Sequence, residues 1–165
     1  MTPQRLGALA ALVVFAADRA SKLAVLERFG GEDVAPKSLA PFLDLALQFN
    51  RGISFSFFRQ DTALGVWLLL GFTLAATALL AAWLWRTASW MAGLGLGAII
   101  GGALGNACDR LLYGAVVDFL DLHAFGRHFF VFNVADAAIN AGVALLILDG
   151  LFGSSADKPT QSLTP

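Results

Sequence analysis

The chain has 165 residues, of which 58% are hydrophobic and 14% charged, with a mean hydropathy of +0.71. That composition excludes an ordinary soluble domain and describes an integral membrane protein, with room for one domain of about four spanning helices at roughly 20 residues each. Eleven basic against twelve acidic residues leave a net charge of -1, and no basic run supplies a footprint for nucleic acid or a polybasic patch for anionic lipid.

The first span is expected at about 6–26. Leu6 to Ala17, behind Arg5, imitates the apolar core of a secretory signal. No convincing small-residue cleavage site follows, and the apolar run resumes at Leu23, as in a retained helix. Asp18 and Lys22 stand at i and i+4, a spacing that permits an ion pair on one helical face. They suit either a site or an interfacial pair that keeps a helix end soluble, and Arg19 and Lys22 can also snorkel toward headgroups.

Residues 28–61 change character. Gly30-Gly31, Pro36 and Pro41 break any helix and mark an extramembrane segment. Leu43, Leu45, Leu47 and Phe49 alternate with Asp44, Ala46, Gln48 and Asn50, the period of two of a half-buried strand. Gly52 permits a tight turn, and Asn50 can hydrogen-bond the turn or a ligand. Ile53 to Phe58 reads as a second strand or a short interfacial helix.

The second span, about 62–85, closes on Trp83, Trp85 and Arg86. The third, about 90–112, carries Gly93, Gly95, Gly97, Gly101, Gly102 and Gly105, which let a neighbouring helix or a substrate approach its backbone, with close helix packing the default for most of them. At its end Asn106 shares a face with Asp109 or Arg110, as interfacial charges or as part of a site. The connection to the fourth span holds Asp118, Asp121, His123, Arg127 and His128, then the aromatic run to Phe132. The fourth span, about 134–152, begins with Asp136 one turn inside, and the polar tail 154–165 reads as disordered.

Asp118 in Val116-Val117-Asp118-Phe119 and Asp136 in Phe132-Asn133-Val134-Ala135-Asp136 each put a carboxylate where lipid meets water. Two acids in a poorly hydrated site cannot both ionise cheaply, so they hold one proton between them, the arrangement of aspartic peptidases. The same pair also suits a small proton-coupled transporter or a structural hydrogen bond. The lack of an inverted repeat counts against transport. His123 and His128 form no zinc-peptidase motif and belong at the polar edge of the loop, Ser54 and Ser56 lack a base, and the lone Cys108 packs as a small apolar residue. The basic residues concentrate in the two long connections, which the positive-inside rule alone would place in the cytoplasm.

Five stretches, Asp18-Arg-Ala-Ser-Lys22, Phe49-Asn-Arg-Gly52, Gly101 to Arg110, Gly114-Ala-Val-Val-Asp-Phe119 and Phe132-Asn-Val-Ala-Asp136, occur in an order that resembles the bacterial lipoprotein signal peptidases, or signal peptidase II. The resemblance covers nearly the whole chain. It implies four transmembrane helices with a small extramembrane β-cradle, mainly within 33–60 and 113–132, and a short interfacial helix. It further implies an aspartic endopeptidase of the bacterial inner membrane that cuts prolipoproteins just before a diacylglyceryl-modified cysteine, with Asp118 and Asp136 as the catalytic pair. Asp18, Lys22, Asn50, Gly52, Asn106, Asp109, Arg110 and Asn133 match supporting or substrate-contacting positions. No metal and no cofactor are implied. The expected partners are prolipoproteins, membrane lipids and peptide antibiotics such as globomycin. The family pattern also implies cytoplasmic termini and a site toward the outer leaflet, and a monomer is expected. One departure is Ile53-Ser54, where the family commonly has two alanines.

Overall fold

The structure, a computed structural model, describes residues 1–30, 36–52 and 63–152. Its elements run α1 (Pro3–Phe29), β1 (Lys37–Ala40), β2 (Leu43–Asn50), α2 (Ala63–Arg86), α3 (Trp90–Tyr113), β3 (Val116–Ala124), β4 (Arg127–Phe132) and α4 (Val134–Phe152). The segment at 53–58, expected as a strand or interfacial helix, and the tail at 154–165 lie outside the described residues.

Among the described residues, three helices are long and apolar enough to cross a membrane: Leu64–Arg86, Trp90–Tyr113 and Val134–Phe152. Composition alone gave four. The remaining helix, α1, is the longest at 27 residues, but Asp18, Arg19 and Lys22 interrupt its apolar run. Asp18 and Lys22 are fully buried, so of the alternatives left open at Lys22 the structure has a charge facing the protein and not the headgroups.

Helix α3 is the centre, touching α1, α2 and α4. Gly93, Gly97, Gly101 and Gly105, four residues apart, make one stripe against α1, meeting Pro3, Gly7, Ala11 and Asp18 in turn, so the two helices run parallel. Gly95 and Gly102 face α4 in the opposite sense, with added Cβ atoms 2.8 Å from Gly142 O and 2.6 Å from Ala135 O. Close helix packing is therefore what the glycines provide. Gly102→Ala is expected to lower stability by about 1–3 kcal/mol, because the Ala135 carbonyl and the branched Ile139 side chain both lie in the way. Gly71→Ala, in the interior of α2 where nothing lies within 4 Å, is the control whose thermal midpoint should hold or rise.

One end of the helices is tied by Gln4 Nε2, which donates to Thr87 O at 2.8 Å, and by Ser89 Oγ, which donates to Asp149 Oδ1 and caps α3 by accepting from Ala92 N. The other end carries an antiparallel sheet in the order β1-β2-β3-β4. Strands β3 and β4 join through Phe125 and Gly126, both at positive φ (52° and 72°), the geometry of a two-residue hairpin turn that matches strand twist.

The alternation expected along β2 is broken by a bulge between Leu45 and Gln48. Leu45 and Leu47 pack on Val25, Phe29 and Phe119 and seat the sheet on the end of α1, while Phe49 is 44% exposed beside the edge of Tyr113. Two of the four apolar residues of the expected alternation are thus spent on internal packing. Beyond the bulge Gln48 pairs with Asp118 and Asn50 with Val116, which puts Asn50 diagonally next to Asp118.

Candidate active site

Asp136 is held by the start of its own helix. Asn133 precedes α4, and its Oδ1 accepts from Asp136 N at 3.0 Å while Asp136 Oδ2 accepts from Asn133 N at 3.3 Å. This reciprocal pair is a capping box with Asp in the usual Glu position, and it satisfies two otherwise unpaired donors. A third donor at this helix end, Ala135 N, reaches Asp18 Oδ1 on α1 at 3.0 Å. An acid 117 residues away therefore completes the cap of the turn that carries Asp136.

Asp118 sits in the buried run Val116–Phe119 of β3 and is 1% exposed. Asp109 anchors that strand to α3 by accepting from Val117 N at 3.1 Å. Asn133 Nδ2 donates to Asp118 Oδ1 at 2.6 Å, and Asn50 Nδ2 donates to Asp118 Oδ2 at 3.0 Å. Asn133 thus touches both acids. Gly52 N donates to Asn50 Oδ1 at 3.0 Å, so the turn expected at Asn50 and the contact to the acid exist together.

Asn106 joins this pair to a layer of buried charge. Its Nδ2 donates to Asp136 Oδ1 at 2.9 Å, and its Oδ1 accepts from Lys22 Nζ at 2.9 Å. Lys22 also meets Asp18 Oδ2 at 2.9 Å, the expected i,i+4 pair, and Asp109 Oδ2 at 2.7 Å. Arg19 pairs with Asp109 Oδ1, and Arg110 donates to Asn106 O at 3.3 Å while its charge is felt by Asp136, Asp118 and Asp109. All ten residues singled out from sequence belong to one connected cluster.

Burial pushes the Asp118 carboxyl up from 3.8 to about 6, and the Asp136 charge pushes the same way; hydrogen bonds from Asn50 and Asn133 and the Lys22 charge oppose them. A raised carboxyl pKa means that the folded state binds this proton more tightly than the unfolded chain does. The resulting stabilisation is complete below the unfolded value and is lost as pH rises through about 6.

Arg19 was not singled out for the site, only as a residue that could snorkel. Its position three residues before Lys22 was the available signal. Gly105 was read as packing for a helix, but an added Cβ there would strike the Asp18 carboxylate. The histidines differ from expectation too: they lie in strands β3 and β4, with His123 Nε2 3.2 Å from Asp44 and His128 Nδ1 2.6 Å from Asp121. No group of three metal-binding side chains converges among the described residues.

Known proteins resemble this chain over nearly its whole length. The family model described as Signal peptidase (SPase) II matches residues 10–152. A lipoprotein signal peptidase of Beijerinckia indica is 49% identical, covering 96% of this chain and 95% of its own; one of Methylocella silvestris is 50% identical over 93% and 90%. A solved bacterial membrane enzyme, determined by the in meso method at 2.3 Å resolution, has a TM-score of 0.78 at 25% identity, covering 94% of this chain and 93% of its own.

Proposed function

The chain belongs to the signal peptidase II family, a membrane protease that removes signal peptides from prolipoproteins, and on that premise we propose that Asp118 and Asp136 are its catalytic pair. The transporter reading of the paired acids finds no support in these relatives. The observation that carries the proposal is the charge balance of the buried cluster. Arg19, Lys22 and Arg110 face Asp18, Asp109, Asp118 and Asp136, three cations against four carboxylates, and one proton on the pair makes the cluster neutral.

The pair shares that proton; burial raises the Asp118 carboxyl to about 6, and the productive form carries the proton on Asp118 and leaves Asp136 as the base. Asp136 takes a proton from water as the water oxygen attacks the scissile carbonyl carbon, and Asp118 gives its proton to the carbonyl oxygen, forming a neutral gem-diol. As the C–N bond breaks, Asp136 hands its proton to the leaving nitrogen and a diol hydroxyl returns one to Asp118. The products are a carboxylic acid on the signal peptide and a free amine, and the pair is restored. No step requires a metal. The bond cut is the one before a diacylglyceryl-modified cysteine, whose acyl chains stay in lipid while the peptide enters between helices.

In this reading α1 is the fourth span, because its charges are spent inside the protein and its length of about 40 Å exceeds a hydrocarbon core of roughly 30 Å. The end tied by Gln4, Thr87, Ser89 and Asp149 faces the cytoplasm, and the sheet and acids lie at the outer leaflet of the inner membrane.

Purified protein incubated with a diacylglyceryl-modified precursor is expected to yield two fragments whose masses place the cut before the modified cysteine. A cut elsewhere, or pH-driven solute flux in proteoliposomes without any cleavage, refutes the assignment. Asn50→Ala should move Asp118's titration above about 6 by about one to two units, because a hydrogen bond to a charged group contributes about 1.5–3 kcal/mol to the ionised form. Carbon-13 shifts of the Asp118 carboxyl followed against pH would show it, and a downward or absent movement would detach Asn50 from the pair.

A further inference from the structure

We infer that Lys22 is a positioning residue for the hydrolysis: its buried ammonium fixes the direction of the Asn106 amide, so that the NH2 end faces Asp136. The inference rests on the catalytic reading of Asp118 and Asp136. An asparagine amide is nearly symmetric in shape but not in polarity, and its neighbours decide which end points where. An ammonium has three donors and no acceptor. Lys22 Nζ donates to Asn106 Oδ1 at 2.9 Å and forms ion pairs with Asp109 Oδ2 at 2.7 Å and Asp18 Oδ2 at 2.9 Å, and the residue is fully buried, so water cannot substitute for it. The oxygen of Asn106 is thereby committed to Lys22, and only its Nδ2 is left for Asp136 Oδ1 at 2.9 Å.

The other two amides of the site obey the same logic with backbone donors. Asp136 N commits the oxygen of Asn133, which leaves Nδ2 for Asp118 Oδ1, and Gly52 N commits the oxygen of Asn50, which leaves Nδ2 for Asp118 Oδ2. Asn133 Nδ2 also reaches Asn106 Oδ1 at 3.2 Å, a longer and shared donor that reinforces Lys22. Every carboxylate oxygen of the pair therefore receives an N–H from the protein: two on Asp118, and Asn106 Nδ2 and Asn133 N on Asp136. The catalytic proton must occupy a lone pair that these donors leave open, and water and substrate carbonyl meet the pair there. A reversed Asn106 would set its carbonyl oxygen against Asp136, which disfavours the charged base that the reaction needs.

Lys22→Met and Lys22→Gln separate this role from simple ion pairing. Both remove the charge and deprive Asp18 and Asp109 of their shared cation, but Gln keeps an N–H donor for Asn106 Oδ1. With lipid-modified precursor, Lys22→Met is expected to lose at least tenfold in kcat with KM within about threefold, and Lys22→Gln is expected to recover most of that loss at a similar thermal midpoint. Equal kcat losses that track the two midpoints would overturn the inference. Wild-type protein gives a second reading that needs no variant. Solid-state NMR in lipid, with 15N asparagine and 13C aspartate, should show Asn106 Nδ2 coupled strongly to the Asp136 carboxyl carbon, and a weak coupling there would show the amide reversed. Asp136→Asn run alongside keeps the two ideas apart: turnover by that variant removes the catalytic pair, whereas its inactivity beside a fully active Lys22→Met removes only the role of Lys22.

Discussion

Asp136→Asn and Asp118→Asn are each expected to abolish cleavage of a lipid-modified precursor while the protein still folds. The loss should be roughly 10²–10⁴-fold or more, since each substitution deletes one partner of a general acid–base pair and leaves its shape nearly intact. The double variant should be little worse than either single one, because both acids serve the same proton transfers and such losses do not add. Folding should respond differently at the two positions. Asp118 is a buried acid whose ionised form is disfavoured, so Asp118→Asn removes a liability that grows as pH rises through about 6. The new NH2 also faces Asn50 Nδ2 or Asn133 Nδ2, a cost present at every pH, so relative to the parent the variant's thermal midpoint should be lower at pH 5 and should recover by pH 8. Asp136 accepts from Asn133 N in the capping box, and an amide can present its oxygen to only one of Asn133 N and Asn106 Nδ2. Asp136→Asn should accordingly lose some stability as well as turnover. Normal turnover by either purified variant would remove that residue from the chemistry.

The elements of this fold were legible in different degrees for physical reasons. Spans two to four appear within a residue or so of their expected limits, because a long uncharged run has one low-energy arrangement in lipid, a closed helix. Strand β2 was legible by its alternation, but the bulge at Leu45–Gln48 was not, since a bulge leaves no periodic signal of its own. The two acids were visible from local cost alone: an ionisable group at the rim of an apolar segment demands a reason. The partnership of Asp18 with Ala135 N was invisible, for nothing local in a helix reveals which distant backbone donor its carboxylate will cap. Lys22 was ambiguous for the same cause. A lysine near a helix end is equally at home in headgroups or in a buried pair, and only the stripe of glycines on α3, which brings Asn106 and Asp109 against α1, decides for burial.

Removal of Asp109 should be the most damaging change to the fold. Both its oxygens are committed, Oδ1 to Arg19 and Oδ2 to Lys22 and Val117 N, and the side chain is fully shielded from solvent. Asp109→Ala leaves two cations short of a partner and frees the strand that carries Asp118, a change expected to cost about 3–5 kcal/mol. Asp109→Asn keeps the shape and one acceptor, so it should retain part of that stability. The Asn variant should also keep more turnover per folded molecule than Asp136→Asn does, because Asp109 holds Lys22 and β3 in place and takes no proton from water or peptide. Thermal midpoints and cleavage rates on the same detergent preparations would test the ranking. An Asp109→Asn protein with an unchanged midpoint and no turnover would move this carboxylate from the scaffold into the reaction.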